Sequence, residues 1–305
     1  MKKTSEWIDQ ALLRDFEAEG TNAHRLCTID DGWAERFGHD ILISFKNTPA
    51  RDRLTTELHL WGEGVDFKVG RIFARFLPRK NEERETPRLL SGNAIEEAQT
   101  IVTERNLKFG IDFGAGYSVG LFVDQRENRS HVRAIAPKLL LNCFAYTCSF
   151  SVAAASAGAQ TVNVDLSKKS LTRGQENFSL NGLAPNGHRF LADDVLSVLP
   201  RLARRGEKFD VIILDPPTFS RSHTGKAFHV ENDFEQLLLA ALEVADRDAH
   251  ILLSTNCSTL HERALEGMGR YCLKASRRAG KFHRTPPLPD FPPGSGASTI
   301  WLTLR

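Results

Sequence analysis

Several acidic residues in the second half of the chain stand at the ends of apolar runs of β-strand length. Asp165 closes "TVNVD", Asp193 and Asp194 follow "RFLA", and Asp215 closes "FDVIILD". A further run, "HILLST", leads into Asn256-Cys257-Ser258. In an open α/β sheet, ligands bind beyond the carboxyl ends of the strands, where a carboxylate can accept hydrogen bonds from them. Asp165 stands about 20 residues past the turn after the first strand, the position from which a carboxylate can hold a ribose diol. Asp193 or Asp194 could accept from an adenine amino group. Each aspartate also has a plainer role open to it, as a cap on the next helix, above all Asp194 ahead of "VLSVL". Together they outline a ligand that contains adenosine.

Asp215 is followed by Pro216, Pro217, Thr218 and Phe219. Two prolines fix φ and remove two N–H donors. A rigid row of acceptors remains, namely the Asp215 carboxylate and the carbonyls of Asp215 and Pro216. That row suits a donor such as the amino group of a nucleobase, and Phe219 could stack on the base, a contact worth ~1–3 kcal/mol. Cys257 is the candidate nucleophile. Cys27 and Cys272 read as structural, and Cys143 and Cys148 as packing residues of a turn.

These residues need a scaffold, and the pattern supplies one. From about residue 107 strands alternate with helices. Strands are predicted at Leu139–Asn142, Thr161–Val164, Arg189–Leu191, Val211–Leu214, Ile251–Ser254 and Thr299–Leu304. Helices are predicted at Ser149–Ala157, Lys168–Asn181, Val195–Arg204, Phe234–Ala245 and Thr259–Ala279. Repeated βα units imply a mainly parallel sheet covered on both faces. Residues 38–78 read as strand-rich and Ser5–Glu19 as an amphipathic helix carrying Trp7, Leu12, Leu13 and Phe16. The boundaries drawn are a small β-rich α+β domain over 1–105 and a catalytic domain over 106–305. The charged, proline-punctuated stretch 78–93 reads as an exposed connection.

The turn after the first strand, Asn142-Cys143-Phe144-Ala145-Tyr146-Thr147-Cys148-Ser149, has no glycine, although dinucleotide sites place glycines there. With "NCFAYTCSF", the segments "VNVDLSKKSL", "ENFSLNGL", "FLADDVLSVL", "EKFDVIILDPPTFSRS" and "GLFVDQREN" resemble class I SAM-dependent methyltransferases of large-subunit ribosomal RNA, the RlmI/RlmK type. The resemblance covers about residues 107–260. It implies a Rossmann-like α/β fold with a seven-stranded sheet whose last strand, Thr299–Leu304, is antiparallel. S-adenosyl-L-methionine would be the methyl donor and S-adenosyl-L-homocysteine the product. Asn142, Phe144, Tyr146 and Thr147 would line the methionine part. Asp165 would bind the ribose hydroxyls, with Leu166 and Ser167 against adenine, and Asp193 or Asp194 would hold its amino group. Arg126, from "DQR", would lie near the SAM carboxylate. Asp215, Pro216, Pro217 and Phe219 would face the methyl group and the target base. Where relatives have Thr-Gly-Gly this chain has Thr147-Cys148-Ser149. The turn is therefore expected to run right-handed throughout, with Ala145, Cys148 and Ser149 supplying room. Asn256-Cys257-Ser258 resembles the Ser-Cys-Ser of the cytosine enzymes, whereas "DPPTFS" is closer to the guanine type. Carbon 5 of cytosine takes a methyl only after a thiolate, here that of Cys257, has added to carbon 6, whereas a guanine ring nitrogen mainly needs alignment, which can supply ~7–11 kcal/mol. Both atoms stay open as targets.

Composition fits a soluble globular protein, with 41% hydrophobic and 26% charged residues and a net charge of +2. No apolar run approaches the ~20 residues of a membrane span, and the N-terminus has no apolar signal core. Five scattered cysteines without CxxC spacing argue against disulfides or zinc and fit a reducing cytoplasm. His223 and His229 lack metal-site spacing, so no metal is expected. Residues 1–105 carry 16 Lys+Arg against 19 Asp+Glu, and the remainder carries 24 against 19. RNA contacts are expected from Arg71, Arg75 and Arg79, from Arg221, Lys226, Phe228 and His229, and from 263–284, which holds seven Lys/Arg and one Glu. Two other readings compete: a non-catalytic RNA-binding or assembly protein with a degenerate SAM fold, and a dinucleotide-dependent oxidoreductase.

Overall fold

The computed structural model describes residues 6–78, 83–94, 97–221 and 227–305. They form two compact units. One runs to Asp124 and includes Leu288–Pro293; the other comprises Gln125–Pro287 and Gly294–Arg305. Arg79, His223 and Lys226 lie outside the described residues.

In the first unit β1 (Glu6–Trp7), β2 (Ala23–Ile29), β3 (Gly32–Phe37), β4 (Asp40–Phe45), β5 (Ile72–Phe76) and β6 (Arg88–Ser91) form one sheet in that order. Only β4 and β5 pair in parallel. A parallel pair needs a crossover, and α2 (Thr48–Val65) provides it. This corrects the strand-rich reading of 38–78. Asn47 caps α2 by accepting the Ala50 N–H at 2.9 Å, and Leu54, Leu58 and Trp61 form a helical stripe buried against Leu26, Ile41, Ile43 and Ile72. The first helix, α1 (Gln10–Ala18), starts later than expected because Asp9 accepts the Leu12 N–H at 2.8 Å. Trp7 belongs to β1 instead and stacks on Trp61 with centroids 5.5 Å apart. A separate hairpin, β7 (Gln99–Glu104) and β8 (Leu107–Asp112), turns at Arg105-Asn106, so the boundary expected between 105 and 106 falls inside it.

Arg71 and Arg75, expected to meet RNA phosphates, prove to be internal. Arg71 forms two bonds to Asp40, at 3.0 and 2.6 Å, and also donates to the carbonyls of Glu97 and Gln99. Arg75 donates to Ser44 Oγ at 2.8 Å and to the Tyr117 carbonyl at 2.9 Å. Their even spacing does place them on one side of β5, but that side is covered, and a buried guanidinium must be paired.

The second unit begins with α3 (Arg126–Ile135), then β9 (Leu139–Cys143), α4 (Ser149–Ser156), β10 (Gln160–Asp165), α5 (Lys168–Leu180), β11 (Arg189–Ala192), α6 (Val195–Arg204) and β12 (Phe209–Leu214). A short hairpin, β13 (Phe219–Arg221) and β14 (Ala227–His229), precedes α7 (Val230–Val244), β15 (Ala245–Thr255), α8 (Glu262–Ala275), β16 (Gly280–His283) and β17 (Ser298–Leu304). The sheet order is β11-β10-β9-β12-β15-β17-β16. The first five strands are parallel, and β17 runs antiparallel between β15 and β16. The seven-stranded α/β sheet with an antiparallel Thr299–Leu304 strand is thus present. The helix read as Thr259–Ala279 ends at Ala275, and Gly280–His283 becomes an edge strand instead. Parallel strands are apolar on both sides because helices cover both. Leu141, Ile212, Leu214, Ile251 and Leu253 pack in one core, and Leu140, Val211, Ile213 and Leu252 in the other. Among the described residues no helix is long and apolar enough to cross a membrane.

Candidate cofactor and base site

The carboxyl ends of β9, β10, β11, β12 and β15 bring the predicted residues to one edge of the sheet. The turn after β9 departs from expectation. Phe144, Tyr146 and Cys148 have φ of 58°, 46° and 59°, so three residues with side chains occupy the left-handed region. Each such residue costs roughly 1–2 kcal/mol. The right-handed turn anticipated from the sequence is therefore corrected.

Specific contacts hold this backbone. The Ala145 N–H donates to the Val164 carbonyl at 2.9 Å, and the Cys148 N–H to the Ala145 carbonyl at 2.8 Å. The Tyr146 N–H donates to Asp165 Oδ2 at 2.8 Å. Asn177 on α5 donates to the Thr147 carbonyl at 2.9 Å. The Cys148 side chain fits because α5 has a glycine opposite it. A Cβ on Gly174 would sit 2.5 Å from Cys148 Sγ and 3.0 Å from its Cβ. The room that a glycine would give inside the turn is supplied by a glycine across from it.

Asp165 ends β10 with both oxygens engaged by backbone, Oδ2 by Tyr146 and Oδ1 by the Ser167 N–H at 2.8 Å. Burial pushes its carboxyl above the ordinary value, against the two N–H donors that pull it down. Burial, with Asp165 adding to it, also pushes the Cys148 thiol well up, so Cys148 is a packing group. An ionised carboxylate has about four acceptor positions. Two are used by the backbone, which leaves two for a vicinal diol.

The remaining predicted cofactor residues divide by burial. Phe144, Tyr146 and Leu166 are half-buried, and Ser167 is exposed. Ser167 caps α5 by accepting the Ser170 N–H at 3.1 Å. Asn142 is buried and donates to Ser151 Oγ at 2.9 Å, and Thr147 is buried. Both brace the turn. Arg126 opens α3 and is 1% exposed, with Nε 3.9 Å from Glu127 Oε1. Asp193 pairs with Arg201 and accepts the Asp194 N–H at 2.7 Å. Asp194 stands at the N-cap of α6 and accepts the Ser197 hydroxyl at 3.1 Å.

At the end of β12 Asp215 is half-buried, Pro216 buried and Pro217 exposed. Ser254, on the adjacent β15, donates to Asp215 Oδ1 at 2.6 Å. Phe219 is 49% exposed, and its ring lies 4.9 Å from that of His229. Phe228, expected beside the target, is instead a core residue 5.7 Å from the Phe144 ring. Cys257 is 8% exposed, with Sγ 3.0 Å from Thr259 Oγ1. Thr259 directs its single hydroxyl proton to Glu231 Oε1, so the thiol is the donor in the first contact. In the basic segment Arg270 and Arg284 pair with Glu266 and Glu262, and Arg278 donates to carbonyls that follow α7. Arg263, Lys274, Arg277 and Lys281 are exposed. Among the described residues no group of three or more His, Cys, Asp or Glu could hold a metal.

Sequence reasoning passed over Gly174, Ser254 and Gln125. Gly174 carried a signal, since a glycine in mid-helix lowers helix propensity and calls for a packing reason. Gln125 stood beside Arg126 in "DQR" but was given no role. Nothing in the spacing of Ser254 ties it to Asp215, because only strand pairing brings them together.

The profile of a family described as S-adenosylmethionine-dependent methyltransferase matches residues 73–301. The chain is 35% identical over 273 residues to ribosomal RNA large subunit methyltransferase I of Escherichia coli O139:H28, covering 85% of this chain and 66% of that protein. It is 30% identical over 261 residues to the protein of that name from Aeromonas hydrophila, covering 82% and 64%. The chain spans about half to two thirds of the length of the curated relatives it matches. The protein SMU.776, solved in complex with SAH, superposes with a TM-score of 0.81 at 23% identity, over 97% of this chain and 79% of that one. The SAM-dependent methyltransferase from Agrobacterium tumefaciens gives 0.71 at 20% identity, over 93% and 90%. The fold is that of these structures, and the oxidoreductase reading of the sheet is overturned. With most of its length matched by the family profile, this chain belongs to the S-adenosylmethionine-dependent methyltransferases.

Proposed function

We propose that the chain transfers the methyl group of SAM to a base of RNA, with large-subunit ribosomal RNA as the substrate class. The observation that carries this reading is Asp165, a carboxylate fixed by two backbone donors with two acceptor positions left for a ribose diol. When bound, SAM supplies an already activated methyl, so the protein's task is alignment. Phe144 and Tyr146 line the methionine part, and Asn142 and Thr147 brace the turn behind them. Leu166 and Ser167 lie against adenine, with Asp193 or Asp194 toward its amino group and Arg126 toward the carboxylate end. Asp215 and Pro216 present acceptors to the amino group of the target base, Pro217 stiffens that edge, and Phe219 offers a stacking face. The names of the curated relatives support ribosomal RNA, and the exposed cations of 263–284 can follow its phosphates. A cytoplasmic location follows from that substrate.

Two target atoms remain, and Cys257 separates them. For cytosine, the Cys257 proton passes to Thr259 as that hydroxyl's own proton passes to Glu231. The thiolate then bonds to carbon 6, carbon 5 takes the methyl as SAH leaves, and when water takes the carbon 5 proton the bond from carbon 6 to sulfur breaks and releases the thiolate, which recovers its proton from Glu231 through Thr259. For a guanine ring nitrogen, Asp215 and the Asp215 and Pro216 carbonyls need only hold the base. Incubation with methyl-labelled SAM and large-subunit RNA, followed by nucleoside analysis, tests the proposal; unlabelled RNA would overturn it. Loss of 5-methylcytosine on Cys257→Ser fixes the covalent route, and an unchanged methylguanine product fixes the other.

A further inference from the structure

A buried chain of side chains runs from the antiparallel strand to Asp215, and the chemistry of its first member fixes its direction. Trp301 on β17 donates its indole N–H to Asn128 Oδ1 at 2.9 Å. An indole can only donate, so the oxygen of Asn128 must face it. Thr285 donates its hydroxyl to the same oxygen at 3.2 Å. The amide nitrogen of Asn128 therefore points the other way, and it donates to Gln125 Oε1 at 2.8 Å. Gln125 is thereby oriented as well, with Nε2 donating to Ser254 Oγ at 2.9 Å. A serine hydroxyl that receives a proton on one side sends its own to the other, and Ser254 donates to Asp215 Oδ1 at 2.6 Å.

Trp301 and Ser254 are fully buried, and Asn128 and Gln125 are each 2% exposed. Water does not compete along the chain, so reversing one link would leave a buried donor facing a donor, which is costly. We propose that Trp301, Asn128, Gln125 and Ser254 are positioning residues that hold Asp215 with Oδ1 fixed as an acceptor toward Ser254. A proton on Oδ1 would oppose the Ser254 hydroxyl, so Asp215 meets Ser254 through an unprotonated Oδ1. This deepens the assignment of Asp215 to the target base, and it rests on that assignment for its effect on catalysis.

The test uses the full chain and the variants Ser254→Ala, Gln125→Glu and Ser254→Thr. Gln125→Glu keeps shape but replaces the donor toward Ser254 with an acceptor, which turns the serine proton away from Asp215. Three readouts are taken: methyl transfer from SAM to large-subunit ribosomal RNA, the titration midpoint of Asp215 from carboxyl 13C NMR, and the melting temperature. Ser254→Ala and Gln125→Glu should lower kcat roughly 10- to 100-fold, the size of a lost hydrogen bond to a charged group. KM for SAM should stay within about twofold, as for an interaction made in the transition state. The Asp215 midpoint should rise, since a donor to the charged form is removed. Ser254→Thr keeps the hydroxyl and should recover most of the rate and the midpoint. An unmoved midpoint in both Ser254→Ala and Gln125→Glu overturns the inference, and so does a rate loss that merely tracks melting temperature. If the midpoint moves but Asp215→Asn itself transfers methyl at full rate, the chain stands and the base-facing role of Asp215 falls.

Discussion

The turn after β9 and the Asp-Pro-Pro end of β12 lie on adjacent strands, and they are made rigid by opposite means. At β12 the backbone stiffness is covalent, since the proline rings fix φ, and a single hydrogen bond from Ser254 fixes the carboxylate. At β9 the backbone takes a path that three of its residues disfavour, and tertiary contacts hold it there. Strain of this kind persists only where the surroundings over-determine it. Here they do, through Asp165, Asn177 and the gap left by Gly174. The comparison shows that a glycine's room need not sit in the turn that requires it.

The sharpest way to break the β9 side is Asp165→Ala. The variant removes two acceptor positions for a diol and also unpairs the Tyr146 and Ser167 N–H groups. Hydrogen bonds to a charged group are worth ~1.5–3 kcal/mol each, so affinity for SAM should fall by about a hundredfold or more. Isothermal titration of SAM and SAH reads this directly. An unchanged affinity would remove Asp165 from the site.

Next in size is Gly174→Ala. The added methyl would stand 2.5 Å from Cys148 Sγ, and overpacking of a filled core costs ~1–3 kcal/mol. Cys148→Gly removes both the clashing sulfur and the left-handed penalty, so the double variant should recover most of the loss. Urea unfolding of the two single variants and the double one measures the coupling. Additive effects would mean that the two positions do not share one space.

On the β12 side the effect is of similar size but falls on RNA rather than on fold. Phe219 is half-exposed, so Phe219→Ala should leave stability within about 0.5 kcal/mol. If a base stacks there, binding of RNA should weaken by ~1–3 kcal/mol. Fluorescence titration with large-subunit RNA fragments reads the loss, and unchanged binding would take Phe219 out of the target pocket.

The same contrast explains what could be read beforehand. Strands β9, β10, β12 and β15 were legible because both of their faces are buried, which leaves unbroken apolar runs ending in polar residues. Asp165 and Asp215 were legible for the same reason. Helix α2 was not, because its threonines, Trp61 and glycines favour strands or turns locally, and only packing of Leu54, Leu58 and Trp61 decides for a helix. The handedness of Cys148 was not legible either, since its cause lies in another helix. Nor were the true positions of Arg71 and Arg75: a strand with alternating arginines looks exposed until the face above it is known to be covered.

The smallest predicted effect concerns the far end of the Trp301 chain. His131, His250 and His283 cluster there, with the rings of His131 and His283 at 4.7 and 6.4 Å from Trp301. His131 Nε2 and His283 Nε2 are 3.3 Å apart, room for one proton between them. All three imidazoles are lowered from the ordinary 6.5, first by burial, and for His131 also by His283 and His250. Between the lowered values and 6.5 the unfolded chain binds more protons than the folded one. Stability must therefore rise with pH through that window, be lost as pH falls through it, and level off below it, where both states are protonated. The rings are half-exposed, so solvent screening keeps the change below about 1 kcal/mol. His283→Gln should flatten the slope of melting temperature between pH 7 and pH 5 while leaving the Asp165 side untouched. A slope equal to that of the parent chain would show that the imidazoles titrate independently of folding.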